Sequence, residues 1–183
     1  MLPFKGLYWY STRSLPMQRH VYPVPDPRNP FLGVHTTVTV DGRVKIGPTA
    51  IPALWRESYG GIAGFKWDEF ASCASTFPHL LFSKHHNMFA TVRQELPKYS
   101  RRVLVAKAAE LVPGLRASDF TQRGRVGVRA QLFDTARGAL EMDFVIRGDV
   151  HSTHMLNSVS PAWTSCLAVA QHTTADMRGR GVL

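Results

Sequence analysis

The sequence predicts an α+β fold in which a mixed, largely antiparallel sheet is covered by helices. The chain has 183 residues, and its first section alternates apolar and polar positions between Pro- and Gly-rich turns, a pattern that returns after about residue 124. The section between, from about 65 to 115, lacks this alternation and is typical of helices. Because 44% of the residues are apolar, the chain can bury enough surface to offset its ordering entropy, which argues against disorder.

A β-hairpin is the clearest local prediction in the first section. Apolar residues alternate with others over 32–40, Asp41-Gly42 supplies a hairpin turn, and Val44 and Ile46 resume the alternation. If the loop has two residues, Val44 and Ile46 lie on the same face as His35. Both faces then carry apolar residues, as in a sheet that is covered on both sides.

Three helices are predicted in the middle section. They span Trp67–Ser75, Pro78 to about Gln94, and Lys98–Val112, and Pro113-Gly114 ends the last of them. The apolar stripe of the third helix is loose, so its predicted role is packing.

The last section predicts a second hairpin. Apolar residues alternate with other residues over 125–133 and again over 140–146, on either side of a turn at 135–138. Arg129 lies in the first of these strands, on the face opposite its apolar residues.

A short strand over 152–156 and a terminal helix over 162–174 complete the predicted elements. The helix start rests on two residues: Ser160 is a suitable N-cap, and Pro161 suits the first helical position.

The chain is basic, with 22 Lys and Arg residues against 13 Asp and Glu residues and a net charge of +9. Such a balance raises the question of a nucleic-acid or acidic-membrane partner. The arginines are scattered among different elements, without an aromatic-interleaved stripe or a recognised motif, so no nucleic-acid partner is predicted. They include Arg101-Arg102, Arg123, Arg125, Arg178 and Arg180.

Cysteine and histidine usage predicts no metal site. Cys73 and Cys166 stand far apart without zinc-ligand spacing, which fits free buried thiols in a reducing compartment. The pairs His85-His86 and His151/His154 would point to different faces of their elements, and no carboxylate spacing supports them.

The expected location is the cytoplasm or, peripherally, the inner face of the membrane. No apolar run approaches the ~20 residues of a membrane-spanning helix. The first residues also lack the basic and then apolar pattern of a signal peptide.

Several segments, taken in order and spacing, resemble one known family. They look like the C-terminal half of the FAD-dependent L-2-hydroxyglutarate dehydrogenases and oxidases, within the wider superfamily similar to glycine oxidase and D-amino-acid oxidase. The resemblance runs from Pro3-Phe-Lys-Gly6 to the last helix, nearly the whole chain. The segments that carry it are Tyr22-Pro-Val-Pro-Asp-Pro27, Pro30-Phe-Leu-Gly-Val-His35, Asp41-Gly42, Gly47-Pro48, Arg56-Glu57 with Tyr59, Gly127-Val-Arg-Ala-Gln131 and Ser160-Pro-Ala162.

The resemblance implies two parts of a larger enzyme. Residues 1–120 correspond to a substrate-binding (cap) domain with a truncated N-terminal boundary, and residues 121–183 return to the FAD domain with a terminal strand and helix. Family members open with a Gly-x-Gly-x-x-Gly turn that holds the FAD pyrophosphate, and this sequence has no such turn. The rest of the FAD-binding domain is therefore expected to be absent from this chain. We expect a fragment that is inactive alone, in which Met1 is not a natural start.

The activity that the resemblance implies is the oxidation of L-2-hydroxyglutarate to 2-oxoglutarate with FAD as cofactor. Such a reaction needs a cation for the substrate carboxylate, a base for the hydroxyl proton and the flavin as hydride acceptor. The resemblance implies that Arg129 binds the C1 carboxylate, and a guanidinium suits bidentate carboxylate capture; an arginine solvated at a sheet edge is the alternative. His35 is predicted to be the catalytic base, and a hydrogen-bonded structural histidine is the alternative.

Four more residues are predicted to bind substrate. Arg56 and Tyr59 would steady the distal carboxylate, since a five-carbon diacid needs a second cation, although a surface ion pair is the alternative for Arg56. Lys5 and Tyr8 would line the same pocket.

Asn157, Ser160, Pro161 and Ala162 are the predicted cofactor-binding residues. Free N–H groups at a helix N-terminus stabilise the negative charge that reduced flavin gains at its N1–O2 edge. An ordinary capped helix is the alternative.

Some positions depart from the family pattern and leave the substrate open. Lys5 and Leu7 stand where an Arg and a Glu are usual, and Trp163 stands where a small residue is usual. A related FAD-dependent hydroxy-acid or amino-acid oxidase is one alternative, and a non-catalytic basic binding module or decaying gene product is another. The electron acceptor, oxygen or quinone, is open too, and a quinone would require peripheral membrane contact.

Overall fold

The computed structural model describes residues 1–26, 29–83, 88–159 and 162–182. Within these ranges the chain forms four α-helices and a set of short strands. The helices are α1 Trp67–Leu81, α2 Met88–Glu95, α3 Arg101–Leu111 and α4 Cys166–Gly179. The strands are β1 Leu2–Gly6, β2 Trp9–Tyr10, β3 His35–Val38, β4 Val44–Gly47, β5 Ile51–Pro52, β6 Gln122–Arg123, β7 Gly127–Gln131, β8 Phe133–Asp134, β9 Ala139–Leu140, β10 Val145–Gly148 and β11 Thr153–Asn157.

The mixed fold with antiparallel pairing is confirmed, but the described strands divide among four small sheets instead of one. The first sheet has the order β5-β1-β7 and the second has the order β3-β4-β2-β6. The remaining two are the hairpins β8-β9 and β10-β11. The first sheet joins strands that are far apart in sequence: Phe4 of β1 lies opposite Arg129 of β7.

Two hydrophobic cores lie beneath these sheets. Each fully buried aliphatic or aromatic side chain contributes roughly 1.5–3 kcal/mol to stability. The first core consists of Leu2, Phe4, Phe31, Cys73, Phe77, Leu80, Met88, Phe133 and Leu140. The second core consists of Leu15, Val34, Val44, Ile46, Leu104, Val105, Ala108 and Phe120.

The hairpin of β3 and β4 is confirmed, but the register expected from a two-residue loop is wrong. Thr36 pairs with Ile46, where a two-residue loop would have paired Thr37 with Ile46. The loop has one more residue, and Gly42 adopts φ +76°, a left-handed conformation that glycine accepts without steric cost. As a result Ile46 faces the second core, and His35 lies on the opposite, outer face.

The helices of the middle section differ from prediction at Pro78. Instead of starting a second helix, Pro78 lies inside α1, between Phe77 and Leu80 of the first core. Packing of these two side chains outweighs the hydrogen bond that a proline nitrogen cannot donate. The described part of the second helix begins at Met88, and the pair His85-His86 lies outside the described residues. The third predicted helix is confirmed as α3, after a 3₁₀ turn over Leu96–Tyr99.

The C-terminal elements follow the predicted order, but their pairing differs. The predicted hairpin of 125–133 with 140–146 forms only at its turn, as β8 and β9, because β7 pairs with β1, and β10 pairs with β11. The terminal helix begins at Cys166, four residues later than predicted. Residues 162–165 form turns, and the first helical hydrogen bond is donated by the N–H of Val169 to the carbonyl O of Ser165 at 3.0 Å. None of the residues of α4 is buried, so Cys166 is exposed, against the prediction of two buried thiols. Cys73 is buried and free, as predicted.

Candidate active site

A cavity of about 230 Å³ lies beside the first sheet, where β1 passes the chain segment at 48–50. Its wall is mostly apolar and includes Phe4 and Phe31 of the first core. The hydroxyl of Thr49 already donates to the carbonyl O of Lys5 and accepts from the N–H of Leu7. Among the other described residues that line the cavity, the polar side chains are those of Tyr8 and Arg129.

Arg129 reaches this cavity because β7 pairs with β1 in one register. It lies opposite Phe4, and its guanidinium carbon stands 5.9 Å from the ring centroid of Phe31. Burial lowers the pKa of Arg129, but an arginine side chain stays protonated at neutral pH. No carboxylate of the described residues pairs with it. The guanidinium is therefore a charged group beside an apolar wall, which is suited to bind a small carboxylate.

Tyr8 lies on the outer face of the second sheet, next to Gly47. A Cβ atom at residue 47 would stand 2.5 Å from the carbonyl O of Leu7 and 2.8 Å from the ring of Tyr8, so only glycine permits this contact. Burial, with Tyr10 and Tyr22 nearby, raises the pKa of Tyr8. Its hydroxyl therefore stays protonated and can donate a hydrogen bond into the cavity.

His35 lies on the same outer face, one strand from Tyr8. It pairs with Gly47, and its ring stacks on Tyr22 with 4.3 Å between centroids. Its Nδ1 stands 3.1 Å from the carbonyl O of Gly33, which assigns the proton to Nδ1 and leaves the Nε2 lone pair free. Burial lowers the pKa of His35, the bond to Gly33 opposes that shift, and the charge of Lys45 adds to it. His35 is thus a neutral base at pH 7, although it does not line the cavity.

The other predicted substrate-binding residues do not line the cavity either. Lys5 lies in β1 opposite Val128, one position along from Phe4, so its side chain takes the other face of the first sheet. Arg56 is in the loop before α1, where its N–H donates to Glu69 at 2.8 Å and its Nε stands 3.8 Å from that carboxylate. Tyr59 is in the same loop and about half exposed.

Sequence reasoning missed a second group of side chains on the outer face of the second sheet. Lys45, Tyr10 and Gln122 form one row across β4, β2 and β6, because each pairs with its neighbour. These residues line a groove of about 420 Å³, here called the cation groove. Its complete lining is Tyr8, Tyr10, Arg43, Lys45, Gln122, Arg123, Gly124 and Arg125. The strand order β4-β2-β6 brings these cations together, and this order cannot be read from the sequence.

Comparison with known proteins places this chain in a family. Residues 1–176 match the family described as FAD dependent oxidoreductase, DAO. The chain belongs to the FAD-dependent oxidoreductase family. This confirms the resemblance that the motifs predicted.

Individual members of the FAD-dependent oxidoreductase family that this chain resembles are named L-2-hydroxyglutarate dehydrogenase. A protein of Indibacter alkaliphilus is 37% identical, over 92% of this chain and 42% of its own length. The mitochondrial protein of Caenorhabditis elegans is also 37% identical, over 98% of this chain and 42% of its own length. The mitochondrial protein of Caenorhabditis briggsae is 38% identical, over 96% of this chain and 41% of its own length. The chain thus spans about two fifths of the length of these relatives.

The residues predicted to contact FAD lie near α4, as far as the structure describes them. The side-chain NH₂ of Asn157 donates to the carbonyl O of Asp143 at 2.7 Å and to that of Glu141 at 3.4 Å, so Asn157 ties β11 to the preceding segment. Ala162 lines an open, largely apolar cleft between β11 and α4, together with Trp163 and Cys166. Ser160 and Pro161 lie outside the described residues. An open apolar cleft beside a helix N-terminus is compatible with a flavin ring.

Two further features are absent from the described ranges, a metal-ligand cluster and a membrane-spanning helix. No three His, Cys, Asp or Glu side chains there come together as metal ligands do. No helix in the same ranges has the length and apolarity to cross a bilayer.

Proposed function

We propose that this chain is the substrate-binding portion of an FAD-dependent enzyme that oxidises L-2-hydroxyglutarate to 2-oxoglutarate. The proposal depends on the position of Arg129. Its guanidinium lies at an apolar cavity and has no carboxylate partner in the described part of the chain. The chain belongs to a family of FAD-dependent oxidoreductases. The relatives named L-2-hydroxyglutarate dehydrogenase support the choice of substrate. A related hydroxy-acid or amino-acid oxidase is the second candidate, because both substrate types present a carboxylate to the same arginine.

The proposed role of Arg129 is to hold the C1 carboxylate and so fix the position of the neighbouring C2–H and hydroxyl. Charge-assisted bidentate bonds give both affinity and orientation. Phe4 and Phe31 give the cavity an apolar wall on the side of the guanidinium, while the Arg129 side chain stays exposed and so accessible to a ligand. Tyr8 supplies a protonated hydroxyl to the same cavity.

His35 is proposed as the base that accepts the hydroxyl proton at Nε2. Its Nδ1–H bond to Gly33 fixes the tautomer, and its lowered pKa keeps Nε2 unprotonated at neutral pH. Bound FAD supplies the acceptor for the hydride that leaves C2. Asn157, Ser160, Pro161 and Ala162 are proposed to hold the flavin, and Ala162 lines a cleft that fits this role.

The predicted division into a cap domain at 1–120 and a return to the FAD domain at 121–183 stays part of the proposal. So does the predicted role of Arg56 and Tyr59 at the distal carboxylate. Both lie outside the cavity, and Arg56 already contacts Glu69. Membrane contact through a quinone acceptor, at the inner face of the membrane, also stays a prediction.

The proposal is tested first by binding of L-2-hydroxyglutarate to the chain, measured by calorimetry. Arg129→Met should weaken binding about tenfold or more, because charge-assisted hydrogen bonds are worth roughly 1.5–3 kcal/mol. Arg102→Met, an exposed arginine of α3, is the matched control and should bind like the parent. If Arg129→Met binds the acid as well as the parent does, the assignment of the cavity is wrong.

The relatives are longer than this chain, which spans about two fifths of their length. The proposal therefore expects a Gly-x-Gly-x-x-Gly unit after a predicted strand to be encoded beside this chain, and reading the neighbouring DNA in all three frames tests it. The binding-module alternative expects no such unit, together with nucleic-acid binding that falls steeply with salt.

A further inference from the structure

The cation groove on the outer face of the second sheet has a lining of one charge sign. It contains Arg43, Lys45, Arg123 and Arg125, and no acidic side chain. Asp41 neutralises Arg43 in part, through a bond from Nε at 2.6 Å. Across the described ranges, no carboxylate pairs with the other three cations. The groove therefore has a surplus of positive charge without an internal counter-ion.

Tyrosine rings hold two of these cations in place. The guanidinium carbon of Arg43 stands 4.8 Å from the ring centroid of Tyr10, and the Nζ of Lys45 stands 4.8 Å from that of Tyr8. Such contacts fix the position of a cation. Arg43 also donates to Asp41 and to Gln122, whereas Lys45 forms no ion pair within the described ranges. Lys45 is half-buried, so water screens its charge less than that of a surface lysine.

Tyr8 connects the groove to the cavity, because its side chain belongs to the lining of both. Arg129 is on the cavity side of this tyrosine, and Lys45 is on the groove side. The cavity and the groove therefore meet at Tyr8, and each contains a cation that pairs with no carboxylate of the described residues.

We propose that the cation groove binds the second carboxylate of a dicarboxylic acid whose first carboxylate is held by Arg129. This inference rests on the proposed function and names the residues that select a dianionic substrate. It assigns the distal carboxylate to Lys45 and Arg125, and Arg56, whose Nε stands 3.8 Å from the carboxylate of Glu69, is the rival candidate. A monocarboxylic acid of the same length has no second carboxylate to bind in the groove, so the groove does not increase its affinity.

The test compares glutarate with valerate. Both acids have five carbons, but glutarate has two carboxylates and valerate has one. Binding to the full chain is measured by calorimetry at low and high salt. Lys45→Met keeps the aliphatic stem over Tyr8 and should weaken glutarate about tenfold while leaving valerate unchanged. Arg125→Met, in the exposed segment between β6 and β7, should act in the same direction. Salt should weaken glutarate more than valerate.

Matched controls separate the possible failures. Lys107→Met and Arg102→Met, both on α3, should leave the binding of both acids unchanged. If Lys45→Met and Arg125→Met affect neither acid, or both acids equally, the groove proposal is wrong. The groove proposal is also wrong if Arg56→Met weakens glutarate binding and Lys45→Met does not. If Arg129→Met leaves both acids unchanged, it is the proposed function that fails.

Discussion

His35 owes its chemistry to the residues around it. A strand histidine exposed to water would be partly protonated near neutral pH, since its unperturbed pKa is about 6.5. Here burial lowers the pKa of His35, and the positive charges of Lys45 and His20 lower it further. The result is an imidazole that favours the neutral form, with Nε2 unprotonated, near pH 7.

We predict that the pKa of His35 lies below its ordinary value and rises in the Lys45→Met variant. The reason is that the variant removes one of the positive charges that oppose protonation of the imidazole. The measurement is the chemical shift of the His35 ring C–H groups against pH. A pKa that does not change in Lys45→Met would show that the two side chains are not electrostatically coupled.

The same shift has a consequence for stability. Because the pKa of His35 is lower in the folded chain, the unfolded chain binds the extra proton more readily. The stabilisation is complete above about pH 6.5 and is lost as the pH falls through the folded pKa. Denaturant midpoints should therefore decline over that interval in the parent, and less so in His35→Gln.

Some site residues could be predicted from sequence because their signals are local. The alternation of apolar and polar residues correctly placed the side chain of Arg129 on the opposite face of its strand from Val128 and Ala130. The Asp41-Gly42 pair correctly predicted a hairpin. What alternation cannot show is the ring of Phe31, contributed by a distant loop, that makes the surroundings of Arg129 apolar.

At the scale of secondary-structure elements, the sequence predictions were wrong where tertiary packing or loop geometry determined a strand register or a helix boundary. A three-residue loop moved β4 by one position and so moved Ile46 from the face of His35 to the second core. Pro78 looked like a helix start, yet Phe77 and Leu80 on either side of it pack in the first core. The cation groove was not predicted because its cations come from two segments, 43–45 and 123–125, that only the strand order brings together.

The terminal helix α4 is held by polar contacts instead of apolar burial. None of its residues is buried, but Arg180, at its C-terminal end, contacts the turn of the hairpin β10-β11. Its Nη1 donates to the carbonyl oxygens of Asp149 and Ser152, at 2.9 and 3.0 Å, and its Nη2 donates to Thr153 at 2.8 Å. Asp176 accepts two further bonds from the same guanidinium.

We predict that Arg180→Lys loosens α4 without unfolding the chain. A lysine ammonium cannot reproduce this planar set of donors, and each lost charge-assisted bond costs roughly 1.5–3 kcal/mol. Amide hydrogen exchange within α4 should accelerate about tenfold or more, while exchange in α3 stays unchanged. Arg178→Lys, exposed on the same helix, is the control. Equal exchange in the two variants would mean that Arg180 does not anchor the helix.

At the scale of the whole molecule, the first core depends on both ends of the described fold. Leu2 and Phe4 come from β1, whereas Phe133 and Leu140 come from the hairpin β8-β9. The first sheet also places β7 along β1. Neither core includes a residue of β10, β11 or α4.

This arrangement predicts different outcomes for two truncations. A chain ending at residue 120, the predicted domain boundary, loses β7 and two side chains of the first core. Those side chains alone are worth about 3–6 kcal/mol, a large part of the roughly 5–15 kcal/mol by which domains are stable. A chain ending at residue 144 keeps both cores. We therefore expect cooperative thermal unfolding, followed by circular dichroism, for residues 1–144 and its loss for residues 1–120. Cooperative unfolding of 1–120 at the temperature of the full chain would instead establish that segment as an independent domain.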